Sequence, residues 1–94
     1  MVKPAGGGQV GRHIGVMFFL YVLKSKNKKF RYVGISSNVE RRFAEHNSGK
    51  SNSTRGFKPF DLIHVEKFQS RIEARTREKF LKSGQGRKWL DLNI

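Results

Sequence analysis

Apolar positions gather in three runs with different periods. Phe18 to Lys24, FFLYVLK, is a nearly unbroken aromatic and branched run, the pattern of a strand covered on both faces. Phe30 to Ser36, FRYVGIS, alternates instead, with Arg31, Val33 and Ile35 on one side and Phe30, Tyr32 and Gly34 on the other. The polar SKNKK between them predicts a hairpin. Further on, FDLIHVEKF sets Leu62 and His64 against Ile63 and Val65, a third strand.

Helical signals fill the gaps. Asn38 is a good N-cap for a helix over about Val39 to Asn47, with Val39 and Phe43 as its inward stripe and Gly49 just past its end. Residues 48 to 59, SGKSNSTRGFKP, read as a basic polar loop. Ser70 opens a second helix reaching about Lys82; Gly84 and Gly86 are expected to stop it. RKWLDL then predicts a short closing helix that lays Trp89 and Leu90 on the sheet. The expected fold is α/β (α+β): a small, mostly antiparallel three-stranded sheet flanked by helices, in the order β-β-α-β-α-α. Residues 1 to 16 are glycine-rich and aperiodic, so they are expected to be a flexible leader ahead of a domain spanning 17 to 94. Gly6, Gly8 and Gly11 match the spacing of a dinucleotide loop, but no strand precedes them and no helix pattern follows.

Composition narrows the partners. Twenty Lys and Arg against seven Asp and Glu give a formal charge of +13, an excess that favours polyanions, nucleic acid foremost. Residues 1 to 16 supply only Lys3 and Arg12, so the excess belongs to the folded part. Zero cysteines exclude a disulfide framework and a cysteine-based zinc site, and the three histidines lack metal-ligand spacing. The longest apolar run is about half a membrane span, so the expectation is a cytoplasmic protein without a membrane partner.

The residues now in view resemble the GIY-YIG endonuclease family, in particular small standalone members related to the N-terminal module of the excision-repair nuclease subunit UvrC. Phe19-Leu20-Tyr21 stands for the first half-motif and Tyr32-Val33-Gly34 for the second. NVERRFAEHNSGK is similar to the helix carrying the family arginine, and SRIEARTREKFLKSG to the helix carrying its metal-binding glutamate. Two departures stand out: Phe19 replaces a glycine, and a late asparagine has no clear counterpart. The resemblance implies a DNA endonuclease, in repair or recombination, with Tyr21, Tyr32, Arg42, His46 and Glu73 as catalytic residues. It also implies one Mg²⁺ or Mn²⁺ at Glu73, no small-molecule cofactor, and a protein partner or self-association left open.

That chemistry suits the residue types. Phosphodiester hydrolysis needs an activated water and positive charge beside the developing phosphorane. One carboxylate suffices for a cation that keeps most of its waters. Neighbouring cations are expected to lower a tyrosine's pKa, so that one phenol accepts a proton and the other orients water. Arg42 and His46, four apart, share a helix face, whereas Arg41 turns towards solvent or the DNA backbone. Lys50, Arg55, Lys58, Lys82, Arg87 and Lys88 are candidate phosphate contacts. Plainer readings stand beside these. Ser70 to Glu73 is also a capping box, strand tyrosines are commonly core residues, and a histidine near a helix end can serve the dipole. The alternative function is a basic DNA- or RNA-binding module without catalysis.

Overall fold

The structure is a computed structural model that describes residues 15–94. The expected leader lies outside those residues except for Gly15 and Val16, as does the Gly6, Gly8, Gly11 spacing. Strand β1 (Phe18–Ser25) is central, pairing antiparallel with β2 (Arg31–Ser36) on one side and β3 (Phe60–Phe68) on the other. Its unbroken apolar run has the predicted consequence: Leu20, Tyr21, Val22 and Leu23 are all buried. Tyr21 stands opposite Gly34 on β2 and Val65 on β3.

Each face of the sheet has its own layer. Helix α1 (Val39–Ser48) starts where the Asn38 side chain accepts a hydrogen bond from the Arg41 N–H at 3.1 Å. It ends at Gly49, whose φ of 85° needs no side chain. Val39 and Phe43 pack with Tyr21, Leu23, Tyr32 and Phe60. On the opposite face, α2 (Arg71–Leu81) and α3 (Gly84–Asn93) bury Leu81 and Leu90 against Leu20, Val22 and Val33, with Trp89 partly buried beside them. The observed order is β-β-α-β-α-α. No helix among the described residues is long and apolar enough to cross a membrane.

Two expectations change in detail. The loop after α1 contains one turn of 3₁₀ helix, Arg55–Phe57. Helix α3 starts at Gly84, because Ser83 caps it by accepting from the Gly86 N–H at 3.2 Å. Gly86 therefore lies inside a helix rather than ending one. It serves the close approach of α3 to α2: a β-carbon there would stand 2.0 Å from the Phe80 carbonyl oxygen and 2.4 Å from the Leu81 Cα. Because the obstacle is backbone, Gly86→Ala is expected to cost about 3 kcal/mol, the upper part of the usual overpacking range. Gly84→Ala, with open space around it, should stay within about 0.5 kcal/mol of the parent. Urea denaturation of the two variants checks the contrast.

Candidate active site

A tyrosine at the centre of a sheet must find a partner for its hydroxyl. Tyr21 is 1% exposed and its Oη lies 3.1 Å from Nε2 of His46, in the last turn of α1. The other ring nitrogen, Nδ1, is 2.8 Å from Thr54 Oγ1. His46 and Thr54 are both fully buried, so a continuous Tyr21–His46–Thr54 chain runs through the α1 layer. Two proton arrangements satisfy it. Either Tyr21 donates to Nε2 while Nδ1–H donates to Thr54, or Thr54 donates to Nδ1 while Nε2–H donates to Tyr21, freeing the phenol proton to point elsewhere. The Tyr32 ring packs 4.7 Å from His46 and 6.1 Å from the Tyr21 ring, centroid to centroid. Gly34 makes room for both rings, since a β-carbon there would meet Tyr21 Oη at 2.7 Å and Tyr32 Cε2 at 2.8 Å.

Burial dominates the electrostatics. The Tyr21 pKa is pushed up to about 12 by burial and then by Tyr32, and the nearby Arg42 guanidinium only partly opposes them. This corrects the expectation for Tyr21 that basic surroundings lower a phenol's pKa: here Tyr21 stays a neutral hydroxyl. His46 is held below the ordinary imidazole range, first by burial and then by Arg42. Arg42 also bonds Glu45, whose second oxygen accepts from Arg41 at 2.8 Å. Glu45 lies below the usual carboxylate range, chiefly through its bond to Arg42.

The Tyr21 shift gives a stability prediction. Its folded pKa exceeds the unfolded value of 10, so the contribution is complete below pH 10 and disappears as pH rises through 12. Two pH units correspond to roughly 2–3 kcal/mol. Between pH 9 and 12 the parent should lose stability more steeply than Tyr21→Phe in denaturant titrations; matching slopes would count against a buried phenol.

Other candidates fall into two groups. Arg41 lies on the outer side of α1, and Arg55 and Lys58 close over Gly49, each 3.5 Å from where its β-carbon would be. Lys50 follows in the same segment. Lys82, Arg87 and Lys88 belong to the opposite layer, where Lys82 pairs with Glu78 at 3.1 Å. Thr54 was hidden in a run of serines and asparagines. Asn47 was also missed; its Oδ1 accepts from the Phe60 N–H at 2.6 Å and ties α1 to β3 beside His46.

With that geometry in hand, comparison with known proteins is specific. The model of the GIY-YIG catalytic domain matches residues 17–89. The chain belongs to the GIY-YIG family. A UPF0213 protein of Natronomonas pharaonis is 42% identical over 66 residues, which are 69% of this chain and 76% of that protein. One from Clostridium perfringens is 37% identical over 67 residues, 70% of this chain and 71% of the relative. The solution NMR structure of a UPF0213 protein from Bacillus halodurans has a TM-score of 0.50 and 33% identity, covering 82% of this chain and 85% of that one.

Within this GIY-YIG domain the two half-motifs lie on adjacent strands, and their tyrosines meet on one face. The acids of α2 are placed differently. Glu73 is exposed in the first turn, where its N–H donates to Ser70 Oγ at 3.1 Å, one half of the capping box. No hydrogen bond or ion pair among the described residues joins it to Tyr21, Tyr32, Arg42 or His46. Glu78 shares the inward side of α2 with Ala74 and Leu81, is 9% exposed, and is held by Lys82. No group of three or more His, Cys, Asp and Glu suitable for a metal occurs among the described residues. This donor set fits a cation with one protein carboxylate and otherwise water or phosphate oxygens, not a closed cage.

Proposed function

We propose that this GIY-YIG domain is a DNA nuclease that hydrolyses a phosphodiester bond with one Mg²⁺ or Mn²⁺. The observation that carries the reading is the buried Tyr21–His46–Thr54 chain with Arg42 beside its phenolic end. Polar chains in a core this small cost stability unless every member is satisfied, and perturbed groups with a specific charge partner cluster at functional sites. The net charge of +13 supplies attraction for a polyanion.

In this mechanism Arg42 stabilises charge developing on the scissile phosphate. Tyr21, neutral at physiological pH, donates its hydroxyl proton in a hydrogen bond, positioned by His46. Tyr32, only partly buried, orients the attacking water. We place the cation at Glu78, because that carboxylate is fixed on the sheet side of α2; Glu73 is the outward alternative. A cation held there would supply Lewis-acid stabilisation to a phosphate oxygen.

A second reading, a basic nucleic-acid-binding module, is favoured by two observations: Arg42 is engaged by Glu45, and both α2 acids belong to the other layer. Supercoiled and branched DNA incubated with Mg²⁺ or Mn²⁺ separates the two. Cutting is expected with metal and not with chelator, reduced about 100-fold or more in Glu78→Gln and little changed in Glu73→Gln. Salt-dependent binding without cutting under either metal selects the binding module.

A further inference from the structure

We propose that a basic groove on the α2–α3 face of the sheet binds a single-stranded segment of nucleic acid. The groove encloses about 930 Å³ at the hairpin end of β1 and β2. Lys24 and Arg31 oppose each other across the two strands, Lys29 comes from the turn, and Lys82 and Arg87 come from the α2–α3 junction. One acid lines it, Asp91, and Arg31 holds that carboxylate at 2.8 Å. Lys24, Lys29 and Arg87 have no ion pair among the described residues. Three uncompensated cations round one concavity make an anion the natural occupant.

Size and lining select the form of that anion. Sites of roughly 300–1,000 Å³ hold ligands of drug size, comparable to one or two nucleotides. Between the cations the lining is apolar, with Val33, Ile63 and Ile94 around the buried Leu81 and Leu90. A duplex turns its bases inward and offers no apolar face to such a lining. An unpaired strand does, and a cationic groove that tracks the backbone is how single strands are held without base reading. Tyr32 lies at the β2 rim of the groove, and its ring turns to the other face of the sheet, where it packs on His46. Groove and tyrosine cluster therefore adjoin across the β2 edge. A strand flanking the scissile phosphate passes from one to the other; this link rests on the nuclease reading, whereas strand binding by the groove does not.

The test uses the full chain in chelator, so that no cleavage occurs, and follows the anisotropy of a labelled 15-nucleotide oligothymidine, an oligouridine and a duplex of equal length. The double variant Lys29→Gln/Arg87→Gln should bind oligothymidine about tenfold or more weakly, with a salt slope shallower by about 1.4 for two lost single-strand phosphate contacts. Duplex affinity should change less than about twofold, and thermal midpoints should coincide. A similar loss on oligouridine supports a site that takes either sugar, and a loss confined to oligothymidine supports a DNA strand. Parental affinity and slope in the variant, or an equal loss on the duplex, overturns the proposal. Whether the parent cuts DNA with metal is read in a separate assay, so the two proposals fail independently.

Discussion

Gly34→Ala is expected to lower DNA cleavage by about 100-fold while costing about 1–3 kcal/mol of stability. The added methyl would lie 2.7 Å from the Tyr21 hydroxyl oxygen and 2.8 Å from both Tyr21 Cζ and Tyr32 Cε2, well inside contact distance. An exposed side chain would swing aside. Tyr21 has no such freedom, being 1% exposed and bonded to His46 at 3.1 Å. The phenol must move by several tenths of an ångström or more, and the buried chain must lengthen or break. Cleavage rates on a defined DNA substrate, with urea denaturation alongside, measure both effects. A variant that cuts at the parental rate would remove Tyr21 from the reaction.

Removing the guanidinium should have the other large effect. Arg42→Ala is expected to reduce cleavage by about 100- to 1,000-fold, the range for losing one preorganised charge stabiliser. Its side chain is 31% exposed, so the fold should tolerate the change. The freed Glu45 keeps a partner in Arg41. Arg42→Lys should recover part of the rate, since a point charge replaces the planar fork without its two-pronged geometry. Single-turnover rates with metal, set against DNA affinity in chelator, distinguish a chemical from a binding defect. Equal losses of affinity and rate would recast Arg42 as a binding residue.

The strands and their pairing were legible because each carried its own period. β1 had no polar side to expose and took the centre; β2 and β3 alternated and took the edges. Caps at Asn38 and Ser70 were legible from the short polar side chains preceding helical stretches. Gly86 was harder. Its need for a hydrogen arises from α2, five and six residues back, and glycine alone reads as a stop. The site was only half legible. Tyr21, Tyr32, Arg42 and His46 came together as their spacing suggested, but Thr54 had no local signal, because its role depends on a loop folding back onto α1. The resemblance pointed to Glu73, with the S-x-x-E pattern as its capping alternative; Ala74, Glu78 and Leu81 at helical spacing mark the buried side of α2. Burial raises the Tyr21 pKa, and charge counting along the chain contains no measure of that desolvation.

By sequence the segment after α1 is a basic polar loop. It is fastened at several points: Thr54 to His46, the Phe57 carbonyl to Ser25 Oγ at 2.6 Å, the Gly56 carbonyl to Lys28 Nζ at 2.9 Å, and the Phe57 ring stacked on Phe30 at 3.9 Å. Arg55 and Lys58 are thus carried on scaffold. Their backbone entropy is surrendered during folding and not at encounter, so a polyanion would meet a standing ridge of charge without waiting for a disordered arm to close.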